Sequence, residues 1–270
     1  MSHNYQERLA KIWLFFYSSA LVLISGIYLA AFVYSYSSEW ILASFYSVYQ
    51  EILLYLAGAG TFIVVPVWFL YQQQKKKQSL IDLQKALLSN FNLFLIFVFG
   101  LYLLYSIRQF DVTLRLADLI WALFAVYLIY AFQSRLRQHG YPAWQNVTTT
   151  VTLMLGVLKA AIFFFIWVSA DKTIIYVLLV LLLTELFIVF LKFAMLNRFS
   201  QETRQTGRIL LTDYSFLFGS RLILGIFIPL VYTFYQLFTG NVQLRFLAIF
   251  LLIGEILERY LFVYPAVPVE

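Results

Sequence analysis

Stretches of about twenty apolar residues recur along the whole chain, and each is long enough to cross a hydrocarbon core about 30 Å thick. A chain built this way is expected to be a polytopic membrane protein, an all-α bundle of about eight transmembrane helices. Hydropathy places the spans at about 10–36, 50–71, 87–107, 116–133, 147–170, 173–196, 209–238 and 241–263. The seventh is long enough to tilt, or to begin as an interfacial helix around Asp213. The loops left between spans reach only about fifteen residues, too short for a soluble domain of useful size. Residues 1–270 are therefore treated as a single integral membrane domain, with any soluble chemistry left to partner chains.

Charge sets the orientation. Both termini and the loops on their side collect Arg8, Lys11, Lys75, Lys76, Lys77, Lys85, Arg135, Arg137, Arg198, Arg204, Arg208 and Arg259. The opposite side has Arg108, Arg115, Lys172 and Arg245, so the positive-inside rule predicts cytoplasmic termini. A net charge of +6 would suggest nucleic acid in a soluble protein, but here the cations fall in loops and meet anionic lipid. No nucleic acid is expected as a partner. Tyr34, Tyr36, Trp40, Tyr46 and Tyr49 crowd the first external loop, as an interfacial aromatic belt does.

The chain has no cysteine, which excludes disulfides, thiolate chemistry and cysteine-ligated iron–sulfur clusters. Its two histidines, His3 before the first span and His139 in a polar loop, cannot sandwich a haem within the membrane. No metal site and no catalytic nucleophile, P-loop, dinucleotide or HExxH motif is found. Asn146, Val147 and Thr148 form a glycosylation sequon that abuts a span on the predicted cytoplasmic side, and it is read as accidental.

Ionisable residues inside the spans carry the most information, because a central charge costs roughly 2.5–3.5 kcal/mol on insertion scales and must face a partner or a polar cavity. Lys159 and Glu185 flank the short turn at Asp171 and Lys172, each about 18–20 Å from it, and are expected to form an intramembrane ion pair. That pair either locks two helices together or belongs to a proton or ligand pathway. Lys192 is expected to snorkel to the interface. In the last span Glu255 and Arg259 can pair four residues apart, and Glu258 lies at the depth of Arg221 in the preceding span. These four either lock the last two helices or form a functional site. Glu51, Asp118 and Asp213 stand near span ends, where solvation suffices for an acid; Asn90 and Asn92 can hydrogen-bond between helices.

Gly254, Glu255, Arg259 and Phe262 form a Gly-Glu-x-x-x-Arg-x-x-Phe pattern that resembles the last helix of the DmsC-type membrane anchors. These are the integral subunits of dimethyl sulfoxide reductase and related molybdenum enzymes. Leu210 to Tyr214 followed by Arg221 is similar to the family's Asp-Tyr and Arg pattern leading into its penultimate helix, and Gln50-Glu51-Ile52 resembles a helix start that the family uses near quinol. The chain departs from the family in having no histidine between Tyr28 and Glu51, and in being about one helix longer between Glu51 and Asp213.

The resemblance implies an anchor in the bacterial or archaeal cytoplasmic membrane that tethers an iron–sulfur subunit and a molybdopterin catalytic subunit. Quinone or quinol, menaquinone or ubiquinone, would be its electron partner. The chain itself would hold no haem or cluster and would not be the catalytic subunit. Glu51, Arg221, Glu255, Glu258 and Arg259 are the residues such a role would use for quinone and its proton. A transporter or channel using Lys159, Glu185 and the C-terminal charges is the alternative, and a purely structural assembly protein a third.

Overall fold

The structure, a computed structural model, describes residues 3–37, 50–62, 65, 82–108, 115–137, 147–168, 172–198, 201–239 and 244–265. The basic loop at 72–81, Trp40, Tyr46, Tyr49, His139, Asn146 and Asp171 lie outside them. Every regular element among the described residues is helical. The chain divides into two compact units, Met1–Arg135 and Leu136–Glu270.

In the first unit, α1 (His3–Ser37), α3 (Asp82–Arg108) and most of α4 (Arg115–Arg137) are joined by aromatic packing, and α2 (residues 50–62) meets α3 where the Thr61 hydroxyl donates to the Tyr102 hydroxyl at 3.2 Å. Tyr17 of α1 lies edge-on to Phe94 of α3 and Phe132 of α4, at 5.7 and 5.3 Å between ring centres. Its hydroxyl donates to the Asn90 carbonyl at 3.0 Å, so the ring is buried without stranding its polar end. Tyr28 repeats the arrangement one step along α1, stacking edge-on to Phe97 and donating to the Asp118 carbonyl at 3.2 Å. Asp118 is only 2% exposed, so the solvated position expected from its place near a span end is corrected.

The second unit comprises α5 (Val147–Val168), α6 (Lys172–Arg198), α7 (Gln201–Thr212), α8 (Ser215–Leu222), a π-helical turn (Ile223–Phe227), α9 (Ile228–Thr239) and α10 (Arg245–Val263). Helix α5 packs against α6 and α10, and α10 against α8 and the π turn. Leu155, Ile162, Leu178, Leu182, Leu247 and Leu251 are among the residues of its apolar core.

Two local devices shape this unit. Pro229 lacks the N–H that would bond to the carbonyl four residues back, at Gly225. The turn before it widens, and the Ile228 N–H reaches the Ile223 carbonyl five residues back. At the same level α10 comes into backbone contact: a Cβ on Gly225 would lie 2.8 Å from the Gly254 Cα. Only glycine at both positions permits that approach.

Among the described residues six helices are long and apolar enough to cross a membrane: Lys11–Tyr34, Asn90–Ile107, Leu116–Leu136, Thr148–Trp167, Ile174–Leu196 and Ser215–Thr239. Ile174–Leu196 has a mean hydropathy of 2.9 yet only 33% of its apolar window is buried, an outer surface suited to lipid. The expected count of about eight is thus not confirmed by length and composition among the described residues. Residues 50–62 supply only part of the second expected span, and α10 carries Glu255, Glu258 and Arg259 in its 19 residues. The expected seventh span starts later than 209, because the chain breaks at Asp213 and Tyr214 between amphipathic α7 and α8. Asp213 is exposed there and accepts from the Thr212 hydroxyl at 3.1 Å.

Candidate functional site

Four helices of the second unit each bring charge to one interior locus. On α5, Thr152, Gly156 and Lys159 follow a spacing of four and three and share a face. On α6, Glu185 and Lys192 lie seven apart, two turns along one face. Helix α8 supplies Arg221; α10 supplies Glu255, Glu258 and Arg259. Apart from Lys192 these charged residues are at most 5% exposed.

Glu185 is the central acceptor. Its Oε1 takes Lys159 Nζ at 2.8 Å and Arg221 Nη2 at 2.7 Å. Lys159 Nζ also lies 2.7 Å from Glu255 Oε2, and Arg259 Nε donates to Glu255 Oε1 at 2.5 Å. Arg221 Nε lies 2.7 Å from Glu258 Oε2, whose other oxygen is 3.4 Å from Lys192 Nζ. The Lys159–Glu255 and Arg221–Glu258 contacts are ion pairs by distance but lack hydrogen-bond alignment. A single chain of opposite charges therefore runs Lys192, Glu258, Arg221, Glu185, Lys159, Glu255, Arg259 and ends where Arg259 Nη2 donates to the Thr152 carbonyl at 3.2 Å.

Gly156 makes room for the far end of this chain. A Cβ there would collide with Glu255 Oε1 and lie 2.6 Å from Arg259 Nη2. Its signal in the sequence is a glycine about one turn before a mid-span lysine. Lys192, expected to snorkel to the interface, keeps 20% of its side chain exposed and lies 3.4 Å from Glu258 Oε1.

The two expected groups, Lys159 with Glu185 and Arg221 with Glu255, Glu258 and Arg259, are joined into one. Glu51 is exposed at the start of α2, in the first unit. Among the described residues no three His, Cys, Asp or Glu side chains gather as a metal site.

The two sequence patterns meet at the end of α10. Tyr214, at the α7–α8 break, packs against Tyr260 at 6.1 Å between ring centres, and Tyr260 stacks on Tyr264 at 4.2 Å. Partial burial, with Tyr260 alongside, holds the Tyr214 and Tyr264 hydroxyls above the ordinary tyrosine range.

A cavity of about 40 Å³ adjoins the charge network among α5, α6, α7, α8 and α10. Glu185, Lys192, Arg221 and Glu258 reach it among apolar side chains that include Val189, Leu196 and Phe262. Arg221 Nη1, Arg259 Nη1 and Glu185 Oε2 have no hydrogen-bond partner among the described residues. No protein-family model, curated protein or solved structure matches the chain.

Proposed function

We propose that the chain is the integral membrane anchor of a multi-subunit molybdopterin and iron–sulfur oxidoreductase and exchanges electrons with the quinone pool. The observation that carries this reading is the unbroken line of alternating charges from Lys192 to Arg259 inside an apolar bundle. Quinone reduction and quinol oxidation move protons with electrons. Carboxylates can take or return those protons, and guanidinium or ammonium groups can hold a carbonyl oxygen. Glu51, exposed at the head of α2, is the candidate for meeting the quinol proton; Arg221, Glu255, Glu258 and Arg259 are the candidates for handling charge in the interior.

In this reading eight spans cross a bacterial or archaeal cytoplasmic membrane with both termini in the cytoplasm. The additional two are the segment beginning at α2 and α10. The 19 residues of α10 extend about 28 Å, and each of its interior charges has an opposite partner. The test is isolation of the chain with its native partners from membranes. An iron–sulfur subunit is expected to co-purify, and Glu51→Gln and Glu255→Gln are expected to lower quinol-dependent turnover while assembly persists. A chain that binds neither partner nor quinone would refute the proposal.

The π turn beside Arg221 favours a second reading, because interrupted helices at a charged site occur in transporters. Solute or proton flux in liposomes that is lost in Lys159→Met and Glu185→Gln would select it.

A further inference from the structure

The ion network does not balance. Lys159, Lys192, Arg221 and Arg259 contribute four positive charges against three negative ones from Glu185, Glu255 and Glu258. One surplus cation in an apolar bundle is costly unless a counter-charge joins it. The surplus lies beside a cavity. Arg221 lines it, is 2% exposed, and keeps Nη1 without a partner. Lys192 lines it as well, holding Glu258 only at 3.4 Å. A volume of about 40 Å³ accommodates roughly three water-sized groups, the bulk of a small oxyanion.

We propose that this cavity binds a singly charged phosphate group, that of an anionic phospholipid, between Lys192 and Arg221. The anion would accept from Arg221 Nη1 and from Lys192 Nζ, bringing the network to neutrality. A lipid is favoured over a free ion by the rest of the lining. Leu196, Phe193, Phe218, Leu261 and Phe262 offer an apolar wall for an acyl chain next to the charged end. Lys192, one-fifth exposed, connects that end to the surroundings. Glu185 Oε2, also without a partner, can accept from a headgroup hydroxyl.

The experiment measures lipid retention by the full chain. The protein is purified in detergent, stripped of lipid, and presented separately with phosphatidylglycerol, phosphatidylcholine and inorganic phosphate, with bound lipid counted by native mass spectrometry and stability followed by thermal unfolding. One phosphatidylglycerol per chain is expected to bind about fivefold or more tightly than phosphatidylcholine. Lys192→Gln leaves three charges of each sign, so the preference for that one lipid should vanish, whereas Lys192→Arg should keep it. The arginine variant also shows that position 192 can change without loss of the fold. Equal binding of the two lipids by the unaltered chain, or an undiminished preference in Lys192→Gln, would overturn the proposal. Stabilisation by inorganic phosphate as large as that by phosphatidylglycerol would overturn the lipid as the source of the charge.

Discussion

Glu185 engages two cations through one oxygen, with Lys159 Nζ at 2.8 Å and Arg221 Nη2 at 2.7 Å. Lys159 in turn is shared with Glu255, so no member of the network is paired with one partner alone at its centre. Removing a charge from such a site leaves its partners buried and uncompensated, which costs more than the lost attraction is worth. Lys159→Met should therefore lower stability by about 3–5 kcal/mol, read from unfolding in detergent; a change within experimental error would show that the carboxylates find other partners. The pairs Lys159–Glu185 and Arg221–Glu258 were legible in the sequence, because a short connection between consecutive helices fixes the depth of each residue. Lys159–Glu255 and Arg221–Glu185 were not. They depend on which non-consecutive helices touch, and hydropathy carries no information about that. Asp118 was misplaced for a related reason: proximity to a span end says how far along a helix a residue lies, not which neighbour covers it.

Among the helices, α10 best shows how one sequence pattern serves two purposes. Its acids and arginine form the charged side, while Gly254 lets the same helix meet the π turn at backbone distance. That close approach sets where Glu255 and Glu258 stand relative to α5 and α8. Gly254→Ala should cost about 1–3 kcal/mol, as overpacking does, whereas Gly219→Ala, with open space at its Cβ, should change stability by no more than about 0.5 kcal/mol. Equal effects in the same unfolding assay would mean that the Gly225–Gly254 contact does not constrain the bundle. The π turn itself was only partly legible. Pro229 announced an interrupted hydrogen bond, but whether a helix answers with a kink, a break or one wide turn depends on its packing partners. The break at Asp213 was foreshadowed by the length of the apolar segment, although α7 as a separate amphipathic helix was not.

For the molecule as a whole, apolar length made the all-helical architecture plain, and six helices among the described residues satisfy it. Of the second unit's helices, α10 escapes that test because it carries the network's charges; the features that hide it from hydropathy are those that tie it to its neighbours. Helices α5, α6, α8 and α10 are held by one connected set of ion pairs, and either proposed role, redox anchor or transporter, depends on that connection. A double-mutant cycle between Lys159→Met and Arg221→Met measures it most directly, since these residues lie on different helices and meet only through acidic neighbours such as Glu185. The account predicts strong non-additivity, about 0.5–3 kcal/mol of interaction energy in detergent unfolding. Additive losses would contradict it and reduce the network to independent pairs.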